Sequence, residues 1–266
     1  MPAYSANLNV MVRAVQKAGR SLLRDFGEVE NLQVSVKGPA DFVSCADKRS
    51  EEILFEDLTK ARRDFSFLME EGGEVKGSDK EHRFIIDPLD GTFNFLHGLP
   101  HWCISVALEK AGEVIVGVVY DPVKDELFTA EKGAGTYLRN RRLRVSSRRK
   151  EDEMLLIHGQ PGTRADKFDE FYAETRIVSS VYPGIRRLGA SALDMSYVAA
   201  GRADVFWERF IQPWDIAAGQ LIVKEAGGFV KDYMNPKENP VYTGNVLAGQ
   251  EHAVNEVAAL LKKAHK

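Results

Sequence analysis

The sequence predicts an α/β protein, with an α+β N-terminal half followed by an α/β C-terminal half. Three features predict it. Apolar residues recur at helical spacing from Leu8 to Phe26. The stretch from Trp102 to Val145 is rich in Val, Ile, Tyr and Phe and is cut by AG, DP and KGAG at hairpin-like intervals. Beyond Glu153, short apolar runs alternate with helical patterns, as an α/β layer requires.

In the first helix Leu8, Met11, Val12, Val15, Ala18, Leu22 and Leu23 face inward, with Arg13, Lys17 and Arg20 between them. A second helix starts near Asp47 or Ser50, with Glu51 and Glu52 in its first turn and Ile53, Leu54, Leu58 and Ala61 as its buried stripe. FSFLM (Phe65 to Met69) reads as a strand ending at Glu70-Glu71-Gly72-Gly73. FII (Phe84 to Ile86) reads as a strand running into the tight turn DPLDG, and the 102–145 stretch as an antiparallel meander. The basic run from Arg139 to Glu153 is the expected linker, dividing the chain into 1–146 and 147–266. After it come strand MLLIHG, a helix near Lys167 to Thr175, strand RIVSSV and a helix from Ser191 to Ala200. Strand ADVFWE, helix WDIAAGQLIVKEAGG, strands FVKDY and NVLAG and a last helix from Glu251 complete the chain.

The 266 residues can bury a substantial core without staples. A net charge of -3 argues against a general polyanion binder. No window approaches a transmembrane span and the N-terminus lacks a signal-peptide core, so a cytoplasmic protein with no membrane partner is expected. Cys45 and Cys103 have no Cys or His at zinc spacing and are expected reduced and buried. His97 and His101 are four apart, but Gly and Pro in HGLPH argue against one helical face.

Acidic residues stand at the ends of apolar elements: Asp47 near a helix start, Glu70 and Glu71 after FSFLM, Asp87 and Asp90 after FII, and Asp215 at a helix start. Each has an ordinary reading. DPLDG alone makes a good turn, Asp47 and Asp215 can be helix caps, and Glu70 can be a solvated residue beside a glycine pair. If they converge, their mutual repulsion requires a cation, and an oxygen-only set selects Mg²⁺ or Mn²⁺ over zinc. Gly91-Thr92 would then place backbone N–H groups at a helix start for an anion.

DPLDGTFNF (Asp87 to Phe95) and WDIAAGQLIVKEAGG (Trp214 to Gly228) together resemble the paired motifs of the inositol monophosphatase family of metal-dependent, lithium-sensitive phosphatases. ADFVSCADKRSEEIL (from Ala40), FLMEEGG (from Phe67) and IRRLGASALDMSYVAAGRADVFWE (from Ile185) extend the resemblance over most of the chain, the last being closest to the bacterial SuhB-like inositol-1-monophosphatases.

The resemblance implies a layered α/β/α/β/α sandwich of the inositol monophosphatase and fructose bisphosphatase type. It also implies two or three Mg²⁺ ions, or Mn²⁺, held by Glu70, Asp87, the Leu89 carbonyl, Asp90 and Asp215. Asp47 and Thr92 fall where the family polarises the attacking water, assigning Asp47, Glu70 and Thr92 catalytic roles. Gly91 and Thr92 fall where the phosphate is held, with Asp90 and Asp215 lining the same site, and Gly189, Ala190, Ser191 and Glu208 match the polyol contacts. The implied substrate is inositol monophosphate or a similar polyol phosphate, hydrolysed by metal-activated water without a phosphoenzyme. Glu208 favours such a monoester because a carboxylate accepts hydroxyl hydrogen bonds and repels a second phosphate. Fructose bisphosphate, histidinol phosphate and adenosine bisphosphate are the alternative substrates. A homodimer is implied, and for the SuhB-like group a role with the transcription machinery, for which Arg139 to Lys150 offers a basic face. Leu89 stands where Ile is commoner and Gly72 where Ser is frequent. His158 to Asp166 match no part of the pattern, leaving one pocket wall unassigned.

Overall fold

The computed structural model describes residues 5–28, 34–38, 41–162 and 165–265. Ala40 of the motif around Asp47, and Thr163 and Arg164 of the unassigned loop, lie outside them.

Five layers stack. The outermost holds α1 (Ala6–Phe26) and α2 (Cys45–Ala61), reached through the hairpin β1 (Val34–Gly38) and β2 (Asp41–Ser44). In α1, Leu8, Met11, Val15, Ala18 and Leu22 are buried at helical spacing, and Ser5 caps the N-terminus by accepting from the Leu8 N–H at 3.1 Å. This layer covers one face of an eight-stranded sheet ordered β10-β9-β8-β7-β6-β5-β3-β4. Its strands are β3 (Ser66–Met69), β4 (Gly73–Val75), β5 (His82–Asp90), β6 (Cys103–Lys110), β7 (Glu113–Asp121), β8 (Glu126–Glu131), β9 (Gly135–Leu138) and β10 (Arg141–Arg142). The run β5 to β10 is an antiparallel meander, whereas β3 lies parallel to β5.

The central layer is α5 (Ser191–Ala199) and α6 (Pro213–Glu225), packed between the large sheet and a five-stranded sheet ordered β12-β11-β13-β15-β14. The second sheet comprises β11 (Leu155–His158), β12 (Gly184–Arg186), β13 (Val205–Arg209), β14 (Phe229–Lys231) and β15 (Asn245–Gly249), with β11 parallel to both β12 and β13. Its outer face is covered by α4 (Phe168–Ser179) and α8 (Glu251–Ala264). Two short helices, α3 (Thr92–Leu96) and α7 (Pro240–Thr243), sit in connections. α6 reaches both sheets because it is small-sided at Ala217, Ala218 and Gly219. On the sheet opposite, a Cβ on Gly117 would lie 2.9 Å from the Ala218 carbonyl oxygen. That close seat fixes the N-terminal end of α6, where Asp215 stands.

Three expectations are corrected. The DPLD segment does not turn away: β5 continues through it to Asp90, and a bulge separates the pairs Asp87–Ser105 and Asp90–Cys103. Pro88 has no N–H for the ladder, and Asp87 Oδ1 takes the Leu89 N–H at 2.9 Å, so the extra residue bends the strand without ending it. RIVSSV is not a strand. α4 runs on to Ser179, because Glu174 and Val178 fall one helical turn apart on its buried face, and packing there outweighs the β-branched propensity. Cys103 is buried as expected, but Cys45, the first residue of α2, is exposed. The 139–153 run is pinned along its length: the Leu143 N–H donates to the Thr136 carbonyl at 2.9 Å, the Val145 N–H to the Ala226 carbonyl at 3.1 Å, and Arg148 pairs with buried Asp204 at 3.2 Å.

Candidate active site

Parallel pairing explains how the acidic residues meet. β3 and β5 run side by side with Met69 opposite Ile86, so Glu70 and Asp87 leave the sheet together, and the Glu70 N–H donates to the Ile86 carbonyl at 3.3 Å. From the outer layer, α2 carries Asp47 onto this edge, with the Ser50 hydroxyl bound to the Pro88 carbonyl at 2.9 Å. From the central layer, α6 carries Asp215 in its first turn, where the carboxylate also accepts the Gln212 N–H at 2.7 Å.

Two acidic groups result. In one, a carboxylate oxygen from each of Asp87, Asp90 and Asp215 lies within 4.8 Å of the others; in the second, Asp47, Glu70 and Glu71 meet the same limit. Glu71 is the member to which sequence reasoning gave no role, although it stands beside Glu70 in FLMEEGG. Its N–H donates to Glu51 Oε2 at 2.9 Å. Burial, then repulsion from Glu70, Asp90, Asp215 and Asp47, holds the Asp87 carboxyl well above the usual range. Asp215 is raised well above its ordinary value by burial and by Asp90 and Glu70. Asp90 is pushed up to about 6, first by burial and then by Asp194, despite hydrogen bonding that opposes the shift. Several carboxylates converging on one space, with neither His nor Cys among the gathered donors of the described residues, fit hard divalent cations.

The Thr92 hydroxyl lies 2.8 Å from the Leu89 carbonyl and 3.4 Å from Asp47 Oδ2, which puts Asp47, Leu89 and Thr92 in one cluster. Gly91 caps α3 at φ 90°, a left-handed conformation, and a Cβ there would meet the His101 carbonyl at 3.0 Å and Ala190 Cβ at 3.1 Å. Only glycine lets the three segments close at this point.

The N-terminus of α5 joins the site from the central layer. The Ser191 and Ala192 N–H groups donate to the two Asp90 oxygens at 3.1 and 2.8 Å, bringing Gly189, Ala190 and Ser191 to Asp90. The Ser191 hydroxyl donates to Glu208 Oε2 at 2.6 Å. Burial pushes the Glu208 carboxyl up to about 8, against the Ser191 hydrogen bond. The loop that sequence left unassigned supplies part of this wall: a Cβ on Gly159 would overlap the Glu208 carboxyl, and the His158 ring stacks on Trp207 with centroids 4.9 Å apart. Nothing in the composition of 158–166 marks that role.

A model of the inositol monophosphatase family matches residues 4–266. An inositol-1-monophosphatase from Mesorhizobium japonicum is 51% identical over 261 residues, covering 98% of each chain. The Nus factor SuhB of Escherichia coli is 40% identical over 258 residues, 96% of this chain and 95% of that one. A crystal structure of the extragenic suppressor protein suhB from Bartonella henselae superposes with a TM-score of 0.94 at 52% identity, over 97% of this chain and 99% of that one. With paired acidic groups at the sheet edge and a match along almost its whole length, the chain belongs to the inositol monophosphatase family.

Proposed function

We propose that the protein is a Mg²⁺-dependent phosphoric monoester hydrolase acting on inositol monophosphate or a closely similar polyol phosphate. The observation that carries the reading is the pair of carboxylate groups gathered at the ends of β3, β5, α2 and α6. Glu70, Asp87, the Leu89 carbonyl, Asp90 and Asp215 would hold the ions, Mn²⁺ being the alternative to Mg²⁺. When bound, these ions neutralise phosphate charge and lower the pKa of a bound water.

This chain's own residues supply position. Asp47 and Thr92, 3.4 Å apart, orient the attacking water. Gly91 and Thr92 open α3, where first-turn amides lack helical partners and suit phosphate oxygens. The water oxygen forms a P–O bond as the ester P–O bond breaks, and the leaving oxygen takes a proton to give the free alcohol and inorganic phosphate. Gly189, Ala190, Ser191 and Glu208 receive the polyol hydroxyls. Glu208 is a buried acid with no cation in hydrogen-bonding contact among the described residues, Arg187 acting on it only from further away, so this wall offers a second phosphate little counter-charge. That favours a polyol monoester over a bisphosphate. Family membership alone extends the reading to a cytoplasmic, lithium-sensitive homodimer.

A panel of inositol 1-phosphate, fructose 1,6-bisphosphate, histidinol phosphate and adenosine 3′,5′-bisphosphate, assayed for phosphate release with and without Mg²⁺ and Li⁺, tests it. The highest kcat/KM is expected for inositol 1-phosphate, dependent on Mg²⁺ and inhibited by Li⁺. A bisphosphate turned over best, or metal-independent release, would overturn the assignment.

The 40% identity to a Nus factor supports a second reading, contact with the transcription machinery. Arg141, Arg142, Arg149 and Lys150 are exposed and make it testable: pull-down of RNA polymerase and its Nus factors by wild type but not by an Arg-to-Ser variant of this run. No capture by either protein would dismiss it.

A further inference from the structure

The polyol-side loop is held by a clasp outside the acidic groups. Asn94 Nδ2 lies 2.8 Å from both the His101 carbonyl and the Leu188 carbonyl, so one buried amide ties the connection after α3 to the loop before α5. On the other side of that loop, His101 Nε2 is 2.8 Å from Asp194 Oδ1. Asp194 is buried on α5, and the Gly189 and Ala190 amides face its carboxylate and oppose the upward push of burial on its pKa. The next two amides, Ser191 and Ala192, go to Asp90. The amides from Gly189 to Ala192, unsatisfiable within the helix, thus face two carboxylates. Asp90 lies on the ion side, and Asp194 meets a ring from the far connection.

From this division we propose that His101, acting through Asp194 and together with Asn94, is a positioning residue for polyol recognition. It fixes the Gly189–Ser191 loop without touching substrate. The inference rests on the inositol phosphate reading above. His101 donates Nε2–H to Asp194, whose carboxylate faces the Gly189 and Ala190 amides; without the donor, a buried carboxylate loses a partner and the loop loses its anchor. Asp90 stays on its strand, because β5 pairs with β6 at Cys103, and it keeps the Ala192 N–H from within α5. The effect therefore falls more on the hydroxyl contacts than on the metal side. A glutamine at 101 can present an amide N–H in place of the ring, so the conservative variant should restore function.

The test compares wild type, His101→Ala and His101→Gln on inositol 1-phosphate and on p-nitrophenyl phosphate, a monoester without ring hydroxyls. His101→Ala is expected to raise KM for inositol 1-phosphate about tenfold, the loss of one buried charge-assisted hydrogen bond. Its KM for p-nitrophenyl phosphate and its half-maximal Mg²⁺ concentration should stay within about twofold of wild type. His101→Gln should recover most of the KM. An equal loss on both esters, or no loss on either, would overturn the positioning role. Wild type that does not hydrolyse inositol 1-phosphate would instead remove the reading beneath it. Should His101→Ala fold poorly, Asn94→Asp, which keeps the volume and removes the amide donor, carries the same selective expectation.

Discussion

Adjacent residues of β13 serve two buried acidic networks that are built in opposite ways. Glu208 points to the central layer and the carboxylates of the candidate active site, whereas Arg209 points to the outer layer and Glu174. Glu174 is surrounded by donors: the Tyr233 hydroxyl at 3.1 Å, Arg209 Nη1 at 3.5 Å and His265 Nε2 at 2.5 Å. The charges that act most on Asp87 are other acids, Glu70, Asp90, Asp215 and Asp47, and each raises its pKa. A buried acid supplied with cations by its own chain serves stability. A set of buried acids facing one another keeps its stability in reserve for an ion from solution.

The largest effect that could break this contrast is on turnover. Asp215→Asn or Asp87→Asn should lower Mg²⁺-dependent kcat by about 10³-fold or more, because each removes a ligand charge. Melting in EDTA should be no lower than for wild type, since repulsion is relieved. A variant that retains wild-type activity removes that residue from the site. Next in size, Glu174→Ala leaves Arg209, His265 and Tyr233 without their shared acceptor and should cost about 3 kcal/mol in urea unfolding, with kcat nearly unchanged. A large loss of kcat at full stability would merge the two networks into one.

Metal supply should separate them further. Saturating Mg²⁺ at about 100 times its Kd should add about 2.7 kcal/mol to the wild type, and much less to Asp87→Asn. The pH dependence has a defined sign. Asp90 is raised from 3.8 to about 6 and Glu208 from 4.5 to about 8, so over these ranges the folded protein binds protons that the unfolded chain has released. In EDTA, stability should fall as pH rises through about 6 and again through about 8, and Mg²⁺ should flatten the first step. A melting temperature that climbs with pH in EDTA would contradict the repulsion. The smallest effect is Tyr233→Phe, which removes one donor from the Glu174 network and should cost about 1 kcal/mol with no change in KM, read by chemical unfolding.

Most of this fold is legible in local pattern. α1 carries a clear helical period, whereas the meander strands and α6 are buried on both sides and are legible through Val- and Ile-rich runs, turn residues and the Gly pair after α6; the boundaries fall within a few residues of those expected. RIVSSV shows where that fails: its residues suit a strand, but the face joining Glu174 to Val178 belongs to a helix under the second sheet. The site was legible in part. Glu70, Asp87, Asp90 and Asp215 were visible as acids at element ends, yet nothing local distinguishes them from Asp79 or Glu131, which also follow turns or end strands. Glu71 was visible but unassigned, and Asp194 sits inside a helix with no signal at all.

The sequence by itself determined most of the helices and strands, where the acids stand along them and, through its motifs, the family, because periodicity and turn chemistry are set by near neighbours. Only the tertiary structure decided that DPLD is a bulge within a strand, that Cys45 faces solvent, that Gly159 abuts Glu208, and that Asp90 takes the Ser191 and Ala192 amides opening α5. These facts depend on parallel strand register and on helices docking from two layers. Such contacts join residues far apart in the chain, and local pattern cannot encode their distances.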